Sequence, residues 1–306
     1  MIKIIFLFIL FVNSLMFAKT TEELAKEAHI ASINTLLIFT SQEGLNSGLY
    51  RFTDVGVDME VYHLPFTYQL ESDTDLNYFI VGNVGYSRVF ISKNIDIPPN
   101  SRLNYDNHLR TYTAGLGGGA RYKITSDLST MLGGELIYSR SGASVKQPDD
   151  SAGDAIEDFF NKNYNDNLSY ELFANLEYRP NINEYKPYAT LTYKIYETKS
   201  TFSFDTLASF DSESSVATLS LGCETPKLLE IGANSISLEA YYNANYLGGR
   251  VKDVVRFDTY SSLGGVLYYN TPQKPWWASR FFFELSTVSS SGLEGYNVGL
   301  GFTLDF

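Results

Sequence analysis

The chain has 306 residues with 35 acidic and 23 basic side chains, a net charge of -12. It carries no basic stripe that would neutralise phosphates, so nucleic acid is excluded as a partner. Hydrophobic residues make up 44%, an ordinary proportion for a soluble protein, which excludes a bundle of membrane-spanning helices. A single cysteine, Cys223, excludes an internal disulfide. The unusual feature is 23 Tyr and 21 Phe against 9 Pro. That composition suits the interfacial girdles of a membrane barrel, and it also suits a tyrosine-rich soluble β-sandwich.

Met1 to Lys3 is a short positive region, followed by an apolar run from Ile4 to Val12 and then Ala18. This pattern predicts a secretory signal peptide over residues 1–18, with Met16 leaving the exact scissile bond open. Beyond Ala18 no run of about eighteen apolar residues occurs, so no further helix is long enough to span a bilayer. Residues 19–44 hold the one convincing helix. Thr20 and Glu23 form a capping box, Leu24, Ala28, Ile30, Ile33 and Leu37 an approximate apolar stripe, and Gly44 and Asn46 a stop. Such a helix sits either in a barrel lumen as a plug or in the periplasm as an amphipathic segment or an ordered leader.

From residue 45 to 306 the chain divides into twelve strand-length segments with a period of two. The first, near Leu49 to Val55, is poorly defined. The second, Tyr62 to Leu70, turns Tyr62, Leu64, Phe66, Tyr68 and Leu70 outward. Its apolar phase switches between Val61 and Leu64, which suggests a bulge or an early hairpin. Segments follow at Leu76 to Phe90, Arg110 to Ile124 and Leu128 to Tyr138. The cleanest is Leu168 to Tyr178, with Leu168, Tyr170, Leu172, Leu176 and Tyr178 opposed to Ser169, Glu171, Asn175 and Glu177. Tyr185 to Tyr196, Val216 to Thr225, Ile236 to Tyr246, a segment of ambiguous phase at Tyr260 to Asn270, and one from Trp277 to Ser286 complete the internal set.

The last segment is the most regular. Tyr296, Val298, Leu300, Phe302, Leu304 and Phe306 alternate with Asn297, Gly299, Gly301, Thr303 and Asp305. About ten residues is the length of a tilted strand that crosses a bilayer.

Connection lengths agree. Connections after even segments are short, such as 71–75 and 125–127. Four of the six after odd segments are long and polar, at 92–108, 141–167, 199–215 and 247–258. Membrane barrels have this asymmetry, with the long loops outside, and a soluble sandwich has no reason for it. Tyr86, Tyr112, Tyr138, Tyr170, Tyr193, Tyr246 and Tyr296 fall at one expected interface. Tyr68, Tyr78, Tyr122, Tyr178, Tyr185, Trp277 and Phe306 fall at the other.

A signal peptide, one helix, twelve strands and an aromatic carboxy terminus together resemble the translocator domain of autotransporters. With only about thirty residues between signal and first strand, the chain resembles the solitary outer-membrane autotransporter-like β-barrel family, a translocator-type barrel without a passenger. The resemblance implies a Gram-negative outer membrane, lipids as neighbours, and assembly by the general outer-membrane machinery reading Tyr296 to Phe306. The expected fold is therefore an all-β membrane protein: a 12-stranded antiparallel transmembrane β-barrel over residues 45–306 with an N-terminal helix.

The inward positions are where chemistry would sit. Arg121, Glu135, Glu171, Glu177, Lys194, Glu239, Arg280 and Glu284 are the expected lumen-lining charges, with Lys186 and Glu224 in the same phase. Inward glycines at Gly115, Gly117, Gly119, Gly299 and Gly301 would leave room for the helix. Outer-membrane phospholipases share the strand number but carry a His-x-Ser-Asn-Gly signature, which His29, His63 and His108 all fail to match. Asp106 and His108 make only a weak protease-like pair at a rim. Asp149, Asp150, Asp154, Glu157 and Asp158 cluster without any calcium-loop spacing. No catalytic residue, metal site or cofactor is expected. The expected role is a small or plugged pore, with small solutes as candidate cargo, or a structural surface protein. The alternatives are an outer-membrane lipase or protease, or a binding module that uses the long loops.

Overall fold

The computed structural model describes residues 45–53, 57–70, 74–97, 101–146, 164–203, 210–271 and 279–303. The signal peptide, the N-terminal helix, the acidic cluster from Asp149 to Asp158, Trp277, Leu304 and Phe306 lie outside the described residues. Thirteen strands occur in chain order: β1 Leu45–Phe52, β2 Val57–Leu70, β3 Leu76–Ile97, β4 Ser101–Lys123, β5 Leu128–Lys146, β6 Tyr164–Tyr178, β7 Lys186–Phe202, β8 Phe210–Glu224, β9 Leu229–Ile231, β10 Asn234–Gly249, β11 Thr259–Asn270, β12 Arg280–Ser289 and β13 Leu293–Thr303. One helix among the described residues, α1 Arg250–Val255, sits in the β10–β11 connection.

Each barrel strand pairs antiparallel with the next, and β13 returns to pair with β1, from Leu45 opposite Leu300 to Phe52 opposite Leu293. This closes a ring of twelve. β9 pairs only with β10 and stands outside the ring as a short hairpin arm. Closure is what the surroundings require, because an open edge in hydrocarbon would leave a row of N–H and C=O groups without partners.

The outward rows explain the surroundings. Leu116, Leu132, Leu172 and Leu263 are 62 to 64% exposed. A continuous apolar wall of this kind is a liability in water and matches lipid tails. Tyrosines border it. Tyr62, Tyr86 and Tyr112 occupy one paired row across β2, β3 and β4, with ring centroids 6.2 and 5.0 Å apart. Tyr112 and Tyr122 lie ten residues apart on β4. At about 3.3 Å per residue and a tilt of about 40°, that spans about 25 Å, the height of the apolar band.

Two expectations change. β2 contains no bulge: its register with β3 runs unbroken from Val57 opposite Ile91 to Leu70 opposite Tyr78. The phase switch arises because Met59 and Val61 are buried inside the barrel while Tyr62 and Leu64 face out. Apolar residues therefore occupy both faces of one regular strand. The ambiguous phase of β11 has the same origin, with Val266 buried inward and Leu263 and Leu267 exposed.

The long loops are also shorter than expected. β3 and β4 continue as a paired ladder to Ile97 opposite Ser101, and β5 continues to Lys146. In these stretches the hydrophobic alternation of the sequence stops while backbone pairing continues.

Closure can be tested directly. Arg51 and Glu294 are cross-strand partners on β1 and β13, and paired strands hold Cα atoms about 4.5–5.5 Å apart, within disulfide range. In a Cys223→Ser background, the Arg51→Cys, Glu294→Cys protein should cross-link under mild oxidation and shift on non-reducing gels. An open sheet would leave both thiols free to alkylate.

Candidate functional site in the barrel interior

Alternation along each strand sends small, polar and charged residues to the inner face. At the level of the membrane and towards the short turns they form a connected polar network. On β7 and β6, Lys194 Nζ lies 2.9 Å from Glu171 Oε1, whose carboxylate is 5% exposed as a residue. Glu171 stands directly opposite Glu135 on β5, and Asn83 on β3 donates to Glu135. Two carboxylates facing each other across a ladder repel, so the Lys194 ammonium is what makes this pairing tolerable. Its Nζ also lies over the Phe173 ring, 5.9 Å from the centroid.

A second group lies nearer the short turns. Arg121 of β4 bonds Glu177 of β6 at 2.6 Å and Ser129 at 3.0 Å. Glu224 of β8 is buried; it pairs with Arg280 of β12, receives the Ser237 hydroxyl at 3.1 Å, and has Lys186 Nζ at 3.6 Å. Arg280 also donates to Asn270 at 2.7 Å and lies 3.9 Å above the Tyr268 ring. Glu239 has no cation within ion-pair distance among the described residues. It accepts Tyr188 at 2.7 Å and Tyr268 at 2.9 Å instead. Glu284 of β12 accepts the Tyr241 hydroxyl.

All eight singled-out charges therefore stand on the inner face. Arg121 with Glu177, Lys194 with Glu171, and Arg280 with Glu224 form ion pairs; Glu135, Glu239 and Glu284 have uncharged hydrogen-bond partners. Four cations (Arg121, Lys186, Lys194, Arg280) meet six carboxylates (Glu135, Glu171, Glu177, Glu224, Glu239, Glu284), an excess of two negative charges in this network.

The inward glycines Gly115, Gly117, Gly119 and Gly301 do not leave space. A Cβ on Gly119 would stand 2.6 Å from the Phe79 ring and 2.7 Å from Gly133 Cα, and on Gly133 2.5 Å from the Phe173 ring. A Cβ on Gly301 would run into the Phe282 ring. Inward aromatic rings lie flat across these glycines and shield their backbone, as aromatic side chains do for glycines in curved sheets. Phe79 and Phe173 then stack on each other at 6.0 Å.

At the opposite end, an apolar cluster joins buried polar side chains such as Ser87, Thr111, Ser141, Asn165 and Thr198. Leu247, Val251, Val255 and Phe257, from α1 and its flanks, are at most 5% exposed and join Phe52, Met59, Val61, Val89, Leu109 and Ile137 in one cluster. Phe257 stacks on Phe52 at 6.2 Å and meets Tyr260 edge-on at 6.4 Å. The chain enters α1 through Gly249 at φ 71 and leaves through Arg256 at φ 65, left-handed residues that turn the six-residue helix inward. A Cβ on Gly249 would also strike the backbone of Glu213.

Sequence reasoning missed this plug, together with the Tyr188, Tyr241 and Tyr268 hydroxyls, because a single apolar face was assigned to each strand. The detectable signal was a run with hydrophobic residues in both phases. On β13, Tyr296, Leu300 and Phe302 are exposed and Val298 is half-buried.

The network predicts a stability asymmetry. Lys194→Met would leave Glu171 and Glu135 facing each other without a cation, at a cost of about 3–5 kcal/mol. Lys194→Met with Glu171→Gln should recover most of that. The midpoint of thermal unfolding in detergent measures both, and equal midpoints for wild type and Lys194→Met would discount the pair.

No family model matches the chain, and no curated protein matches it in sequence. Solved structures do match in shape. The translocator domain of the autotransporter NalP from Neisseria meningitidis superposes with a TM-score of 0.59 at 10% identity, covering 93% of this chain and 97% of that one. The transport unit of the autotransporter AIDA-I from Escherichia coli gives 0.55 at 10% identity, covering 90% and 98%. The β domain of the Bordetella autotransporter BrkA gives 0.50 at 10% identity, covering 84% and 96%. In fold, the chain is a closed twelve-stranded barrel of the autotransporter translocator type.

Proposed function

We propose that the protein is a plugged pore of a Gram-negative outer membrane, with the α1 end outside and the short turns in the periplasm. Small solutes pass only when the apolar plug moves. The observation that carries this reading is the contrast within one lumen. A polar, ion-paired channel bordered by Glu171, Glu224 and Arg280 ends under a hydrophobic seal of Leu247, Val251, Val255 and Phe257. The negative excess of the network favours cations. A barrel built only as a structural surface protein has no need of a polar lumen closed by a separate loop.

Insertion by the general outer-membrane machinery, through the β13 strand with Tyr296, Leu300 and Phe302 facing lipid, belongs to the same reading. So do the signal peptide and the absence of catalysis. His108, the histidine that a rim protease would need, is engaged edge-on with the Phe90 ring at 5.1 Å and faces Arg88 Nη2 at 3.5 Å.

Planar-bilayer recording tests the pore. Wild type should be nearly silent. Replacing residues 249–258 by a Gly-Ser linker should open a steady conductance whose reversal potential in a KCl gradient favours K⁺. Each form is recorded with and without residues 19–44, to separate the two segments that are candidates to block the lumen. If none of the four conducts, the protein is a structural barrel and the pore reading fails.

A further inference from the structure

The outward face carries a charge arrangement that the lumen does not explain. Arg88 of β3 and Arg110 of β4 stand directly opposite each other in the ladder, both on the lipid-facing side. Like charges in this position repel. Neither guanidinium has a carboxylate within ion-pair distance among the described residues. Glu60 is the cross-strand neighbour of Arg88 on β2, yet the two form no ion pair. Arg88 packs its guanidinium 4.4 Å from the Phe90 ring and approaches His108 Nδ1 at 3.5 Å. Its Nε is buried without a hydrogen-bond partner. Arg110 is exposed.

The neighbouring charges show what a satisfied rim arginine looks like. Arg140 of β5 is held by Asp166 at 2.7 and 3.0 Å and lies 4.4 Å from the Tyr164 ring. Arg51 pairs with Asp58 at 2.9 Å. Only the Arg88–Arg110 step lacks an anion among these.

Height decides the chemistry. Two residues below the arginines runs the Tyr62–Tyr86–Tyr112 row, and below that lie exposed Leu64, Val84 and Leu116. A ligand that fits places an anionic head on the two arginines, an amphipathic middle against the tyrosine rings and alkyl chains along the apolar wall. Guanidinium groups bind phosphate through paired, charge-assisted hydrogen bonds, and interfacial tyrosines mark the headgroup level.

We infer that Arg88 and Arg110 form a binding site for the phosphate of a phosphorylated lipid in the leaflet at the α1 end. This rests on the outer-membrane reading above, which makes that leaflet the external one and the occupant a phosphorylated glycolipid. The bound phosphate bridges the two guanidinium groups and relieves their repulsion.

Native mass spectrometry of the full chain in detergent, titrated with bisphosphorylated lipid A, tests the site. Wild type should retain lipid, and Arg110→Gln should weaken its binding at least about tenfold, the scale of one lost charge-assisted contact. Among the described residues Arg110 has no hydrogen-bond or ion-pair partner, so this variant should unfold at the wild-type temperature. Arg88→Gln with Arg110→Gln should abolish the difference between lipid A and its dephosphorylated form, and Arg110→Lys should keep most of the binding. Millimolar inorganic phosphate should not displace the lipid. Equal binding by wild type and Arg110→Gln, or equal binding of the phosphorylated and dephosphorylated lipids to wild type, overturns the site. Displacement by inorganic phosphate makes it a free-anion site and overturns the lipid assignment. Orientation is read separately, by labelling Asp253→Cys in a Cys223→Ser background on intact cells with an impermeant maleimide. Failure of that labelling rejects the outward orientation of the α1 end, and with it the glycolipid as occupant, and leaves the phosphate-binding result standing.

Discussion

Hydrocarbon offers no hydrogen-bond partner to a backbone, and the rest of this structure depends on that constraint. An N–H or C=O left facing lipid costs several kcal/mol, so the sheet has no tolerable edge. The pairing of β1 with β13, from Leu45 to Phe52, removes the last one. Once the ring is closed, alternation leaves no choice about the outer face: positions such as Leu116, Leu132 and Leu172 must be apolar, and the tyrosine rows must fall where lipid meets water.

Closure creates a second problem inside. Eight strands leave an interior that side chains fill, whereas sixteen leave an open channel, and twelve lie between. This barrel answers with three materials. Phe79, Phe173 and Phe282 lie across glycines and thicken the wall. Ion pairs such as Lys194–Glu171 and Arg280–Glu224 cross from strand to strand. At one end, a folded-in connection supplies Leu247, Val251, Val255 and Phe257. The first two hold the wall in shape. The third belongs to a loop segment of six helical residues, so it is the part that is able to move without opening the ladder.

The charges divide by environment. Inside, carboxylates outnumber cations, and each has been given a partner because a bare one would be very costly there. At the rim, Arg51 and Arg140 have their own aspartates, while Arg88 and Arg110 face each other with none among the described residues. An arrangement that is unfavourable in isolation makes sense where a mobile anion is abundant, which is the level of lipid headgroups.

The architecture was legible in the chain because its signal is local. Period-two alternation, tyrosines at strand ends and turns of unequal length are written in consecutive residues. They led to twelve strands and to the inward placement of Arg121, Glu171 and Glu239. The places where reading failed share one cause. At Met59 and Val61, and at Val266, apolar residues face inward on a strand whose other face is also apolar. A hydrophobicity pattern cannot report what lies across a lumen closed by residues as distant in the chain as Leu45 and Leu300. By itself, then, the sequence determined the strand count, the lipid-facing rows and the inward charges. The tertiary structure alone decided which charges meet, that rings fill the space above the glycines, and that the β10–β11 connection folds into the mouth, because each depends on distances set only when the ring closes.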